Sequence, residues 1–123
     1  MGEPIRVLVV DDHAVVREGL RTFLELQEGI EVAGEAADGR EALELFEADP
    51  SIDVVILDQR MPGMTGIETA REMLNLRPTA KIVLCSAYLD TDLRHEAESA
   101  GIQVSLAKRE IDRLPQVMRD LAA

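Results

Sequence analysis

Short apolar runs alternate with longer amphipathic stretches along this chain. The runs are Ile5–Val10 (IRVLVV), Ile30–Ala36 (IEVAGEA), Val54–Leu57 (VVIL), Lys81–Cys85 (KIVLC) and Val104–Leu106 (VSL). Ile and Val dominate them, as in strands that helices cover on both faces. The second run alternates apolar with polar residues, which predicts a strand at a sheet edge. Between the runs, apolar residues recur at helical spacing: Val16, Leu20, Phe23 and Leu24; then Ala42, Leu43 and Phe46; then Ile67, Ala70 and Leu74. Asp38 ahead of Glu41, and Thr65 ahead of Glu68, have the spacing of capping boxes at helix starts. The stretch Asp90–Ala100 offers a core only Leu93, Ala97 and Ala100, which predicts a loosely anchored helix. The last stretch holds Ile111, Leu114, Met118 and Leu121, and tolerates Pro115 only in its first turn. Five strands alternating with five helices predict an α/β domain with a parallel sheet.

Length and charge narrow the class. At 123 residues, with no linker, repeat or low-complexity segment, the expectation is a single domain over 1–123 with no second, effector domain. Thirteen basic residues against 24 acidic ones leave a net charge of −11. That sign disfavours direct contact with nucleic acid or an anionic membrane surface. A hydrophobic content of 46% is enough for a real core, and with two Phe, one Tyr and no Trp that core is aliphatic. The single cysteine, Cys85, excludes an internal disulfide and Cys-rich metal sites. The first apolar run stops at Asp11 and Asp12, too short for a signal peptide or a membrane span. A cytoplasmic, acidic domain is the expectation.

In open α/β sheets, ligands bind beyond the carboxyl ends of the strands, so the residues just after each run carry the chemistry. These are Asp11, Asp12 and His13 after the first, Asp58 after the third, Ser86 and Ala87 after the fourth, and Lys108 after the fifth. Three carboxylates in one pocket repel one another, and a hard divalent cation with oxygen ligands removes the conflict. Mg2+ suits such a site because it accepts one or two carboxylates and leaves positions for phosphate oxygens. A phosphoryl group approaching Asp58 would then find its charge neutralised, with Lys108 supplying a point charge and Ser86 a hydrogen bond. In-line transfer to a carboxylate needs mainly positioning, and the product would be an acyl phosphate on Asp58. A strand-end Asp on its own is often only a turn former or helix cap. Two acids in succession, together with the Ser and the Lys, argue against that plainer reading.

These residues resemble the receiver domain of two-component response regulators. The likeness runs from about Ile5 to Leu121 and rests on Val9-Val10-Asp11-Asp12-His13, Val54-Val55-Ile56-Leu57-Asp58, Met61-Pro62-Gly63-Met64-Thr65-Gly66, Ser86-Ala87, Ala100-Gly101 and Lys108. The Asp-Asp-His start and the run through Gly66-Ile67-Glu68 look most like the subfamily with helix-turn-helix effector domains. The resemblance implies a three-layer, doubly wound (βα)5 sandwich, flavodoxin-like, with parallel strand order 2-1-3-4-5; a member of this family is among the standard examples of that order. It implies that Asp58 takes a phosphoryl group from a phosphohistidine on a sensor histidine kinase. Asp11, Asp12, Asp58 and the backbone carbonyl of Arg60 would hold Mg2+, while Ser86 and Lys108 would bind the phosphoryl oxygens. Movement of Ser86 and the fourth helix would change the surface of the last two helices and fifth strand, which addresses a downstream effector. Such a domain is a phosphoacceptor signalling module that assists its own chemistry, not an enzyme.

Two departures stand out. The family usually has Tyr or Phe three residues before the lysine, where this chain has Ser105. It often has proline after the lysine, where this chain has Arg109. Arg60 and Tyr88 sit two residues after Asp58 and Ser86, where family side chains flank the path of attacking water, so both are expected to slow hydrolysis. His13 is read as a neighbour of the site, since Mg2+ prefers oxygen. His95 is read as solvated surface and Cys85 as a small core residue. Met61, Met64, Met73 and Met118 are read as packing. Arg94, Lys108, Arg109 and Arg113 make the late surface less acidic, a candidate partner or homodimer face.

Competing functions are a flavodoxin-type electron carrier, an aspartyl phosphatase resembling the haloacid dehalogenases, and a phosphorylation-independent interaction module. Acids stand where the first needs a hydroxyl-rich phosphate loop. Arg60 stands where the second needs a general acid. Ser105 keeps the third open.

Overall fold

The computed structural model describes residues 2–123. Five parallel strands form one sheet: β1 (Ile5–Val10), β2 (Ile30–Ala36), β3 (Val54–Leu57), β4 (Lys81–Ser86) and β5 (Val104–Ala107). Their order is β2-β1-β3-β4-β5, the predicted doubly wound arrangement, with β2 at an edge as its polar alternation requires. The helices are α1 (Ala14–Glu25), α2 (Gly39–Ala48), α3 (Gly66–Leu76), α4 (Thr91–Ser99) and α5 (Leu114–Ala122).

Side-chain alternation splits the core into two layers. Val7, Val9, Val54, Ile56, Val83 and Cys85 face α1 and α5, where they meet Leu20, Leu24, Leu114 and Met118. Leu8, Val10, Val55, Leu57, Ile82 and Leu84 face the other way, onto Ala42 and Phe46 of α2, Ile67, Ala70 and Met73 of α3, and Ala97 of α4. The third helical stripe therefore turns slightly from the expected one: Met73 is fully buried, while Leu74 only packs against its edge.

The caps explain where helices begin. Thr65 and Glu68 form a full capping box, with the Thr65 hydroxyl accepting from the Glu68 amide (3.1 Å) and Glu68 Oε1 accepting from the Thr65 amide (2.9 Å). The expected box at Asp38 closes differently. Asp38 Oδ1 accepts from the Glu41 amide, but Glu41 reaches one residue further back, to the Ala37 amide. α4 is capped by Asp90, yet buries only Ala97, in keeping with its weak apolar stripe. Ahead of α5, residues Lys108–Arg113 form a 3-10 segment kinked at Glu110, so Ile111 belongs to its second turn and Pro115 lies in the first turn of α5. All described peptide bonds are trans, including the one between Lys108 and Arg109.

Candidate functional site

Strand pairing assembles the site. Val10 and Leu57 are Cα partners, so Asp11 and Asp58 leave the sheet side by side. The Asp58 amide donates to the Val10 carbonyl (2.9 Å) and extends that register. Ser86 pairs with Ala107 across β4 and β5, which sets Lys108 next to the same rim. The two strands run one residue past their predicted ends because this pair completes the ladder.

Asp11 is 2% exposed and Asp58 is 5% exposed. Lys108 Nζ lies 2.8 Å from Asp11 Oδ2 and 3.5 Å from Asp58 Oδ2. Asp11 Oδ1 accepts from the His13 amide at 2.8 Å. Arg17 Nη1 donates to the Asp11 backbone carbonyl at 2.6 Å, so both the carboxylate and the main chain of Asp11 are tied down. Asp12 Oδ1 is the one buried side-chain oxygen or nitrogen among the described residues with no hydrogen-bond partner. His13 Nδ1 stands 3.2 Å from it, but out of hydrogen-bonding alignment. One ligand atom from each of Asp11, Asp12, His13 and Asp58 falls within 4.8 Å of the others.

The electrostatics follow from this crowding. Burial first, and then the Asp11 charge, push the Asp58 carboxyl above the ordinary carboxylate range, and Lys108 only partly opposes them. Burial works against the Lys108 ammonium, but its bond to Asp11 and the charge of Asp58 outweigh that and hold it above the usual lysine value. Burial also lifts the Cys85 thiol to about 11, so it is an inert core thiol at neutral pH, as the sequence suggested. An orphaned buried carboxylate oxygen beside two more carboxylates fits a hard cation with oxygen ligands. His13 is exposed and bonded back to Asp11, as expected of a neighbour of the site.

The loop carrying Asp58 is held by close packing. A Cβ on Gly66 would press into the Asp58 carbonyl oxygen and the Gln59 Cα, so only glycine fits there without moving the loop. Gln59 Oε1 accepts from the Ile67 amide (2.9 Å) and ties the loop to the start of α3. Gln59 and Arg17 are positioning residues that the sequence did not single out. Each acts through backbone groups brought close only by folding.

The remaining predicted residues lie at the site's margin. The Ser86 hydroxyl is buried and accepts from the Tyr88 amide (3.2 Å). Arg60 Cζ stacks over the Tyr88 ring at 4.9 Å from its centroid, joining the two loops that flank Asp58. Ser105 is half-buried on β5, and its carbonyl accepts from Arg94 Nη1 of α4 (3.2 Å). Arg94 thus spans the gap between α4 and the position without a ring.

Comparison with known proteins places these features in a family. Residues 7–119 match the model described as the response regulator receiver domain. The chain is 41% identical over 104 residues to the transcriptional regulatory protein LiaR of Bacillus subtilis, covering 85% of this chain and 49% of LiaR. It is 42% identical to the chemotaxis protein CheY of Thermotoga maritima, covering 84% of each. Among solved structures, the receiver domain of the putative response regulator NarL from Mycobacterium tuberculosis superposes with a TM-score of 0.85 at 35% identity, over 96% of this chain and 98% of that one. The chain belongs to the response regulator receiver family and is a receiver domain of two-component signalling. It spans about half the length of several curated relatives it matches, LiaR and the Escherichia coli response regulator UvrY among them. No helix among the described residues is long and apolar enough to cross a membrane.

Proposed function

We propose that Asp58 accepts a phosphoryl group from a phosphohistidine of a sensor kinase, and that the acyl phosphate alters the surface around α4, β5 and α5. The observation that carries this reading is a buried, raised carboxylate flanked by Lys108, with an orphaned Asp12 oxygen beside it. In the transfer, an Asp58 oxygen forms the new O–P bond while the N–P bond of the donor breaks and its electron pair returns to the imidazole. Lys108 lies within reach of the non-bridging phosphoryl oxygens, and Ser86 can turn its hydroxyl from Tyr88 onto the same group. Asp11, Asp12, Asp58 and the Arg60 carbonyl would hold Mg2+, which would supply further positive charge to those oxygens. The Arg60–Tyr88 stack covers the approach of water and prolongs the acyl phosphate. The candidate output is an effector domain or partner protein addressed through α4, β5 and α5, and the same face is a candidate homodimer contact. The domain's acidity leaves any nucleic-acid contact to a partner.

Intact mass after incubation with Mg2+ and a small acyl phosphate tests this. One phosphoryl adduct, absent from Asp58→Asn and from samples with chelator, is expected. An unmodified protein under these conditions would favour the phosphorylation-independent interaction module.

A further inference from the structure

Asp58 has a second side. Toward solvent it neighbours an open groove lined by Asp12, Arg60, Tyr88 and the first turn of α4. On the α1–α5 face lies a separate cavity of about 290 Å3 that shares no lining residue with that groove. Strand alternation puts it there. Asp11, Asp58 and Cys85 continue the face set by Val9, Ile56 and Val83, so the acids cap an otherwise hydrocarbon space. Its walls are Val16, Leu20, Ile56, Cys85 and Ile111, and its polar end is Asp11, Asp58 and Lys108. Gly19 borders it and is exposed, and a Cβ there would meet nothing within 4 Å, so the cavity opens beside α1. The volume is at the lower end of that of small-molecule pockets.

The polar end specifies charge. Both Asp11 oxygens are already engaged, one by His13 and one by Lys108. The Asp58 carboxylate accepts no well-formed hydrogen bond among the described residues, its nearest cation being Lys108 Nζ at 3.5 Å. A carboxylate whose nearest cation stands 3.5 Å away, at the end of an apolar cavity, is complementary to a single N–H-rich cation on a hydrocarbon body. We propose that this cavity binds a small amphipathic amine, with its ammonium on Asp58 and its apolar body between α1 and the 3-10 segment. Such a ligand occupies the oxygens that would take the phosphoryl group, so amine binding and phosphorylation oppose each other reciprocally. That consequence rests on the phosphoacceptor reading, whereas the binding itself does not.

The test uses 2-phenylethylamine, with ethylbenzene and 3-phenylpropanoate as neutral and anionic partners of like shape, read by backbone-amide NMR. The amine should give saturable shifts at Val16, Gly19, Leu20 and Ile111, the neutral compound should bind at least about tenfold more weakly, and the anion should not bind. Gly19→Met, which places a flexible apolar chain at the mouth, should weaken the amine by about tenfold or more while acyl-phosphate labelling persists. Equal binding of all three compounds, shifts confined to the Arg60–Tyr88 groove, no saturable shifts, or unchanged binding in Gly19→Met would each overturn the proposal. Amine binding by a protein that takes up no phosphoryl group would uphold it and sink the phosphoacceptor reading instead.

Discussion

Burial and the neighbouring Asp11 carboxylate make Asp58 hold its proton more tightly in the folded protein than in the unfolded chain. The stability tied to this group is therefore present at acid pH, and is lost as pH rises from the ordinary carboxylate value through the raised folded one. Without divalent ions, Asp58→Asn should melt at a higher temperature than the wild type at pH 7, with the difference closing toward acid pH. A variant that melts lower at pH 7 would show that Lys108 wins the local balance. Lys108 plays the opposite part, since its ammonium satisfies buried Asp11 at 2.8 Å. Lys108→Met should cost about 1–2 kcal/mol in chemical denaturation, less than for a fully buried pair because part of the lysine meets solvent. Arg60 and Tyr88 sit further out. Replacing both with alanine should shorten the lifetime of the phosphorylated form with little change in melting temperature, and an unchanged decay rate would dismiss the stack as a water barrier.

Among the elements, α3 and α4 are built to opposite specifications. α3 starts with a reciprocal capping box, buries Ile67, Thr69, Ala70 and Met73, and brings Gly66 against the Asp58 carbonyl. Thr65→Ala should cost about 1 kcal/mol through the lost cap. α4 has a side-chain cap but buries only Ala97. Its amides should exchange with solvent faster than those of α3, and equal protection would contradict the proposal that α4 is the mobile element. Most of this was legible in the sequence. Ile/Val runs marked the strands, and the thin stripe Leu93, Ala97, Ala100 marked α4 as weakly held. The capping partner of Glu41 was not legible, because sequence spacing cannot separate the Asp38 amide from that of Ala37. The 3-10 segment at Lys108–Arg113 also escaped, because Ile111 and Leu114 fit a helical stripe equally well.

At the scale of the whole molecule, the parallel order β2-β1-β3-β4-β5 explains how residues 97 positions apart, Asp11 and Lys108, come to form an ion pair. Chain order and strand-end position were enough to nominate Asp11, Asp12, Asp58, Ser86 and Lys108, because each follows an apolar run and parallel strands end on one rim. The apolar cavity behind Asp58 was beyond such reading, since it depends on how α1 and the 3-10 segment lean against the sheet. The Arg60–Tyr88 stack was likewise hidden, because it joins two exposed residues from different loops. On the proposed reading, Asp58 is the single carboxylate that accepts the phosphoryl group. Borohydride converts an aspartyl acyl phosphate to homoserine, so reduction after acyl-phosphate treatment, followed by peptide sequencing in a mass spectrometer, reads the acceptor directly. Homoserine at position 58 alone, dependent on Mg2+, is the predicted result; homoserine at Asp11, Asp12 or elsewhere, or at no position, would contradict it.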